Sequence, residues 1–357
     1  MLTGRRPARG DGGRRPPPGD RGGAVVNPPR RAGRGGGRPA ELEWAGRAPP
    51  GDAGAAARPC RRGSATHRGG PHTITGRTRL TGIIGDPVAH SLSPRLHNAA
   101  FAALDLDMVY VPLHVRADDL PAAVAGLRAL GFRGANVTIP HKTAVVPLLD
   151  ELGDDAASME AVNTVVVRRD GRLAGENTDV AGVRDAVAAA AAAAGRRLAG
   201  GRALLLGAGG AARAAALALA RLGLALTVAN RTPAAAERLA ALLAAARPGA
   251  ACEVRPLAAL TAAEVGAADV VVNATSLGME GHGKVPACVV DNVTAGQVVA
   301  DMVYTPRDTA LLTAARARGA TVVDGLEVLV RQAAASFTLW TGRDAPVDVM
   351  RHAVEQG

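Results

Sequence analysis

The chain has 357 residues, room for two domains with real cores. Its formal net charge is +10, but residues 1–79 carry 17 Arg, no Lys and five acids, so the rest of the chain has a net charge of −2; a body this close to neutral argues against an enzyme that grips nucleic acid by charge. Cys60, Cys252 and Cys288 fall in no CxxC or Cys/His pattern, which argues against a disulfide framework or a metal site, and no run of 18 apolar residues without a charge is present to span a membrane.

Residues 1–79 also hold 18 Gly and 11 Pro, with few large apolar residues such as Leu42 and Trp44. Such a composition buries too little surface to offset its ordering entropy, so residues 1–78 are expected to form a disordered Arg/Gly/Pro-rich extension. Arg14 and Arg15 lead into no apolar h-region, which argues against a secretory signal and makes a reducing cytoplasm the expected compartment. The segment either touches RNA or anionic surfaces through its arginines or is a dispensable extension. A start codon set too far upstream would also produce it, although the next Met is Met108.

From Leu80 short apolar strands alternate with helical stretches. A strand over 80–84, a helix from Pro94, a strand over 108–115, a helix through Leu130 and a strand over 134–139 come first. After Pro140 a helical stretch is expected, then a strand over 161–167, a turn at Asp170 and Gly171, and a return strand ending near Asn177. The Asp-Gly turn makes an antiparallel hairpin, so residues 79–179 read as a mixed α/β domain. A helix from about Val180 leads into strands over 202–206, 224–230, 252–257, 269–275, 298–304 and 321–324, separated by helical stretches. That alternation indicates a doubly wound parallel sheet, a Rossmann α/β domain over 180–325. The last helices, over about 326–340 and 347–352, can pack on either domain.

The strand RALLL runs straight into Gly207-Ala208-Gly209-Gly210-Ala211-Ala212 and a long Ala-rich helix. The spacing G-x-G-x-x-A between strand and helix suits a dinucleotide pyrophosphate. Gly207 permits the tight turn, Gly209 lets backbone approach the phosphates, and Ala212 lets the helix pack on the strand. The helix N-terminus adds free N–H groups and positive potential. The second strand ends at Asn230-Arg231-Thr232, where an NAD-specific domain places an acid on the ribose 2′-OH. Arg231 instead offers a planar fork to a 2′-phosphate, with Asn230 and Thr232 as neutral donors, so the expected cofactor is NADP.

Only two of the 42 basic residues are lysines, Lys142 and Lys284. A chain that uses Arg wherever charge suffices keeps Lys where a proton has to move, because Arg stays protonated. Lys142 lies just past a strand in Asn136-Val-Thr138-Ile-Pro-His-Lys142, whereas Lys284 in GHGK reads as a loop charge. Two further clusters suit a polyhydroxylated anion. Ser91 and Ser93 precede Pro94, with Ser93 placed as the N-cap and Pro94 at the first helical position. Asn163-Thr164 and Asn177-Thr178-Asp179 fall at strand ends, where α/β sites collect ligand groups.

The segments GDPVAHSLSPRLHN, GANVTIPHK, AVNT, GENTDV, GAGGAAR, NRT, NATSLGM and DGLEVLVRQAAASFTLWTG together resemble the shikimate dehydrogenase family, in that family's order, over residues 80 to about 342. The resemblance implies reversible NADPH-dependent reduction of 3-dehydroshikimate to shikimate in the aromatic amino-acid pathway. It implies a substrate held by Ser91, Ser93, Asn136, Thr138, Lys142, Asn163, Asp179, Tyr304 and Gln332, with Lys142 and Asp179 as the proton-transfer pair. It implies cofactor contacts from Gly207 to Ala212, from Asn230, Arg231 and Thr232, and from Thr275, Met302 and Gly325. The helix containing Gln332 would return to the first domain, making residues 79–179 with 326–357 the substrate-binding unit. A monomer or homodimer is expected, with nucleic acid touched only through the N-terminal segment if at all. The alternatives are a quinate/shikimate dehydrogenase using NAD, and a non-catalytic NADP-binding sensor with an RNA-binding tail.

Overall fold

The computed structural model describes residues 73–355, so the reading of residues 1–72 as part of an extension lies outside the described residues. Two six-stranded sheets follow one another along the chain. The first is built from β1 (Arg79–Gly85), α1 (Ser93–Ala103), β2 (Met108–His114), α2 (Leu120–Ala129), β3 (Gly134–Val137), β4 (Glu151–Leu152), α3 (Asp154–Met159), β5 (Thr164–Val167) and β6 (Leu173–Glu176). Its order is β2-β1-β3-β5-β6-β4. Strand β1 pairs in parallel with β2 and β3, while β5 runs antiparallel to both β3 and β6. The hairpin between β5 and β6 turns at Gly171, whose φ of +82° suits glycine.

Two local expectations need correction. The helical stretch expected between Pro140 and the next long strand is realised only as the short α3 (Asp154–Met159); between Pro140 and β4 the chain makes turns and a single 3₁₀ turn at Val146–Leu148. Pro147 disfavours the helical conformation at Val146, and the β-branched pair Val145 and Val146 adds to the bias. At α1 the helix already includes Ser93, with Leu92 at the cap position and no side-chain cap. Ser91 Oγ instead accepts the Ser93 N–H at 3.3 Å, and Ser93 itself is buried.

Helix α4 (Thr178–Ala193) leads to the second sheet, made from β7 (Arg202–Leu206), α5 (Gly210–Arg221), β8 (Ala225–Asn230), α6 (Pro233–Ala246), β9 (Cys252–Pro256), α7 (Ala262–Gly266), β10 (Val270–Asn273), α8 (Ala287–Val290), β11 (Val298–Asp301), α9 (Ala310–Ala317) and β12 (Thr321–Val323). All of its pairings are parallel, in the order β12-β11-β10-β7-β8-β9, with the switch of direction between β7 and β10. Burial on both faces explains the continuous apolar strands. Leu205, Val270 and Val272 point to one core, and Leu204, Leu206 and Val271 to the other. Helix α5 is buried almost all round between this sheet and α4, which its alanines make sterically possible.

Helices α10 (Gly325–Thr341) and α11 (Val347–Glu355) end the chain. Leu326, Val330, Phe337 and Trp340 of α10 and Met350 and Val354 of α11 pack with Ile83 and Tyr110 of the first sheet and with Leu96 and Phe101 of α1. Four of the seven Phe, Trp and Tyr residues in the whole chain meet in this core. Glu327 ties the two helices together by pairing with Arg331 and Arg351. Among the described residues no helix is long and apolar enough to cross a membrane.

Candidate active site

A cleft of about 570 Å3 opens where β1, β3, β7, β8, β10 and β11 end. Parallel strands deliver their C-terminal loops to one side, so both sheets send residues into the same space. All nine residues expected to hold substrate line it, as do Gly207 to Ala211, Asn230, Arg231, Thr275, Met302 and Gly325. Ala212 and Thr232 do not. Ala212 is fully buried and packs α5 on its sheet, the role its place in the glycine pattern assigns it, and Thr232 sits at the cap position of α6.

Lys142 and Asp179 form the chemical centre. Lys142 Nζ donates to Asp179 Oδ2 at 2.5 Å, with the side chains 16% and 7% exposed. Asp179 occupies the first turn of α4, which starts at Thr178 rather than near Val180, so the positive end of that helix favours its carboxylate. Its other oxygen, Oδ1, accepts Asn163 Nδ2 at 2.8 Å. Asn163 is oriented without ambiguity: the Thr178 main-chain N–H donates to its Oδ1 at 2.8 Å, so Nδ2 must face Asp179. The same Nδ2 approaches Gln332 Oε1 at 3.2 Å, and Gln332 Nε2 donates to Leu329 O. One acid and one base are thus held in fixed geometry, beside a space for a third group.

Asn136 behaves differently from its neighbours. The Tyr110 phenol donates to its Oδ1 at 2.7 Å, and its Nδ2 faces Asn163 O, Thr164 Oγ1 and Ser336 Oγ. Its amide thus has protein partners on both sides while Asn136 still lines the cleft. Ser336 also bonds Thr164 and Thr178. The sequence reading missed Tyr110 and Ser336; Ser336 could have been found by its spacing, one helical turn after Gln332 on the same face.

Thr138 has a hydroxyl without a partner among the described residues. Ser91 and Tyr304 both line the cleft, and burial raises the Tyr304 phenol above its usual range, so it stays a neutral donor. The turn that carries Met302 to Tyr304 is anchored by buried Asp301, whose oxygens accept Asn273 Nδ2, Val303 N and Thr309 Oγ1. Burial pushes the Asp301 carboxyl up while these bonds oppose the shift. Ser276, Met279 and His282 complete the rim and went unread in the sequence. Lys284 stays on an exposed loop outside the cleft.

A dinucleotide fits the other half. Gly207 has φ +110°, and a Cβ added at Gly209 would meet nothing within 4 Å, which leaves the backbone of the turn open to phosphates. Arg231 is exposed on the cleft edge beyond β8, and no carboxylate pairs with it among the described residues. Thr275 spends its hydroxyl on Asn273 Oδ1 and Leu277 N, shaping the loop after β10.

Family models match three stretches: the shikimate dehydrogenase substrate binding domain over residues 83–165, shikimate / quinate 5-dehydrogenase over 189–308, and the shikimate 5'-dehydrogenase C-terminal domain over 325–355. A shikimate dehydrogenase (NADP(+)) of Moorella thermoacetica is 49% identical over 284 residues, covering 79% of this chain and 95% of that protein. Among solved structures, a shikimate dehydrogenase in complex with NADP+ is 37% identical at a TM-score of 0.72, covering 80% of this chain and 97% of that one. A quinate dehydrogenase from Corynebacterium glutamicum in complex with NAD is 35% identical at a TM-score of 0.71, covering 78% and 99%.

Proposed function

This chain belongs to the shikimate dehydrogenase family and is an NADP-dependent oxidoreductase acting on a CH–OH group; from that premise we propose how its own residues carry the reaction. Residues 79–179, with the helices of 326–357, form the substrate-binding unit, and 180–325 the NADP-binding unit. The reading is supported by the two separate sheets and by the aromatic core under α10 and α11. The observation that carries the mechanism is the Lys142–Asp179 pair, held at 2.5 Å in the cleft that also contains the glycine turn.

NADPH, when bound, supplies the hydride that reduces the C3 ketone of 3-dehydroshikimate. Lys142 gives its ammonium proton to the developing C3 oxygen, and in the reverse direction it takes that proton back. Asp179 holds Lys142 by one oxygen and, locked by Asn163, presents a fixed acceptor to the substrate hydroxyls. Ser91, Ser93 and Tyr304 bind the carboxylate, and Thr138 and Gln332 bind the ring hydroxyls. Met302 and Gly325, which line the same cleft, contact the cofactor. The test is nicotinamide absorbance with shikimate and NADP, run beside quinate and NAD. Turnover confined to the first pair supports this reading, and preference for the second makes the chain a quinate enzyme.

Cofactor choice follows from Arg231. A guanidinium–phosphate contact contributes on the order of 1.5–3 kcal/mol, so catalytic efficiency should favour NADP over NAD by at least about tenfold. Arg231→Ala should weaken NADP and leave NAD almost untouched, as steady-state kinetics with each cofactor would reveal. Equal efficiency with both in the unmutated enzyme would contradict the assignment. The unpaired thiols Cys252 and Cys288 suit a cytoplasmic setting, and a monomer or homodimer is proposed.

A further inference from the structure

The three glycines of the turn after β7 are glycine for different physical reasons. Gly207 needs its positive φ, and Gly209 leaves open space where phosphates approach. Gly210 needs neither: it is the first residue of α5, and its φ is not positive. A Cβ built on it would lie 2.8 Å from Lys142 Cβ and 3.3 Å from Lys142 Cδ. Real Cβ atoms essentially never approach a carbon that closely, so an added methyl would displace one side or the other.

Lys142 belongs to the loop after β3, in the first sheet's half of the chain, yet its stem lies on the backbone of the cofactor turn. Its Nζ is meanwhile bound to Asp179. A second hollow of about 320 Å3, walled by Pro140, Thr143 and Arg213 among others, lies beside this contact. A displaced lysine stem therefore has somewhere to go without disturbing a core.

We propose that Gly210 is a positioning residue that seats the stem of Lys142, so that one contact sets both the cofactor turn and the proton-transferring amine. The glycine is required at this position by the lysine, not by the dinucleotide. This rests on the role given to Lys142 above. An ordered turn presses the lysine toward Asp179, and the geometry for proton transfer depends on the turn as well as on the carboxylate.

Gly210→Ala is the test, because alanine suits the first turn of a helix better than glycine does and should not unfold the protein; a thermal melt checks this. At saturating substrate and NADPH, turnover should fall by about tenfold or more, the scale expected when a reacting group shifts by a fraction of an ångström to one ångström. NADPH affinity, read by nicotinamide fluorescence, should change little. A cofactor-free measurement is also available, since the chain has only two lysines and Lys284 is exposed outside the cleft. Acylation of Lys142 by an amine reagent, measured by mass spectrometry against Lys284, should speed up severalfold in the variant as the amine leaves Asp179. Unchanged turnover with an unchanged labelling ratio overturns the proposal. So does a loss expressed wholly as weaker NADPH binding with normal labelling, which would return Gly210 to the dinucleotide. If the unmutated protein fails to oxidise shikimate, the functional reading falls, while the labelling ratio still decides the contact.

Discussion

Replacing Lys142 by Ala should lower turnover by roughly 10²–10⁴-fold, the usual range for a positioned acid–base group. Substrate affinity should suffer less, because Ser91, Ser93, Thr138 and Gln332 remain in the cleft. Lys142→Arg separates proton transfer from simple charge. A guanidinium keeps the positive charge and can pair with Asp179, but it does not release a proton near neutral pH. If the amine moves the proton, the arginine variant should be nearly as poor as the alanine variant. If Lys142 only neutralises Asp179, arginine should restore much of the rate. Turnover and substrate affinity measured separately for both variants decide between these, and near-normal turnover with arginine would refute the acid–base role.

The second large effect is on stability against acid, and it comes from His97. Its ring is fully buried, stacks on Tyr110 at a centroid distance of 4.4 Å, and has no hydrogen-bond partner for either nitrogen among the described residues. Burial lowers its pKa from 6.5 to about 3. The folded value lies below the unfolded one, so between these pH values the unfolded chain binds a proton that the folded chain refuses. Stability from this residue is complete above pH 6.5 and drains away as the pH falls toward 3. The slope is about 1.4 kcal/mol per pH unit, on the order of 4–5 kcal/mol across the window. His97→Phe removes the titration and one unsatisfied N–H while keeping an aromatic ring against Tyr110. The variant should therefore match or exceed the parent at pH 7 and pull ahead steadily as the solution is acidified. Urea denaturation of both proteins at several pH values is the measurement, and parallel curves would show that the imidazole finds a partner or reaches water. Asp301 and Glu176, whose carboxyls burial pushes up, titrate in both proteins and cancel in the comparison.

His97 also shows where the sequence stops being informative. Beside Asn98 in SPRLHN it looks like any polar helix residue, and nothing local says that α10 will bring Trp340 to within 5.3 Å of its ring. Ser93 is a similar case. Serine before proline is a good capping signal, yet the helix takes Ser93 inside and buries it, and Ser91 Oγ accepts its N–H instead.

The signals legible along the chain were local. Apolar runs located most strands of both sheets along the chain, the Asp170 and Gly171 pair marked the hairpin, and strand–glycine turn–helix marked the dinucleotide half of the cleft, whereas the spatial order of the strands and the edge strand β4 were not read. The scarcity of lysine singled out Lys142. These signals are readable because strand and turn preferences act over a few residues. The tertiary structure alone decided which sheet takes α10 and α11, which way the Asn163 amide points, that Asn136 is committed to Tyr110 and Ser336, and that Gly210 lies under Lys142. The physical reason is distance along the chain. Asn136 and Ser336, like Asn163 and Gln332, come together only after the whole second sheet has folded between them, and close packing at such a junction is a property of both surfaces at once.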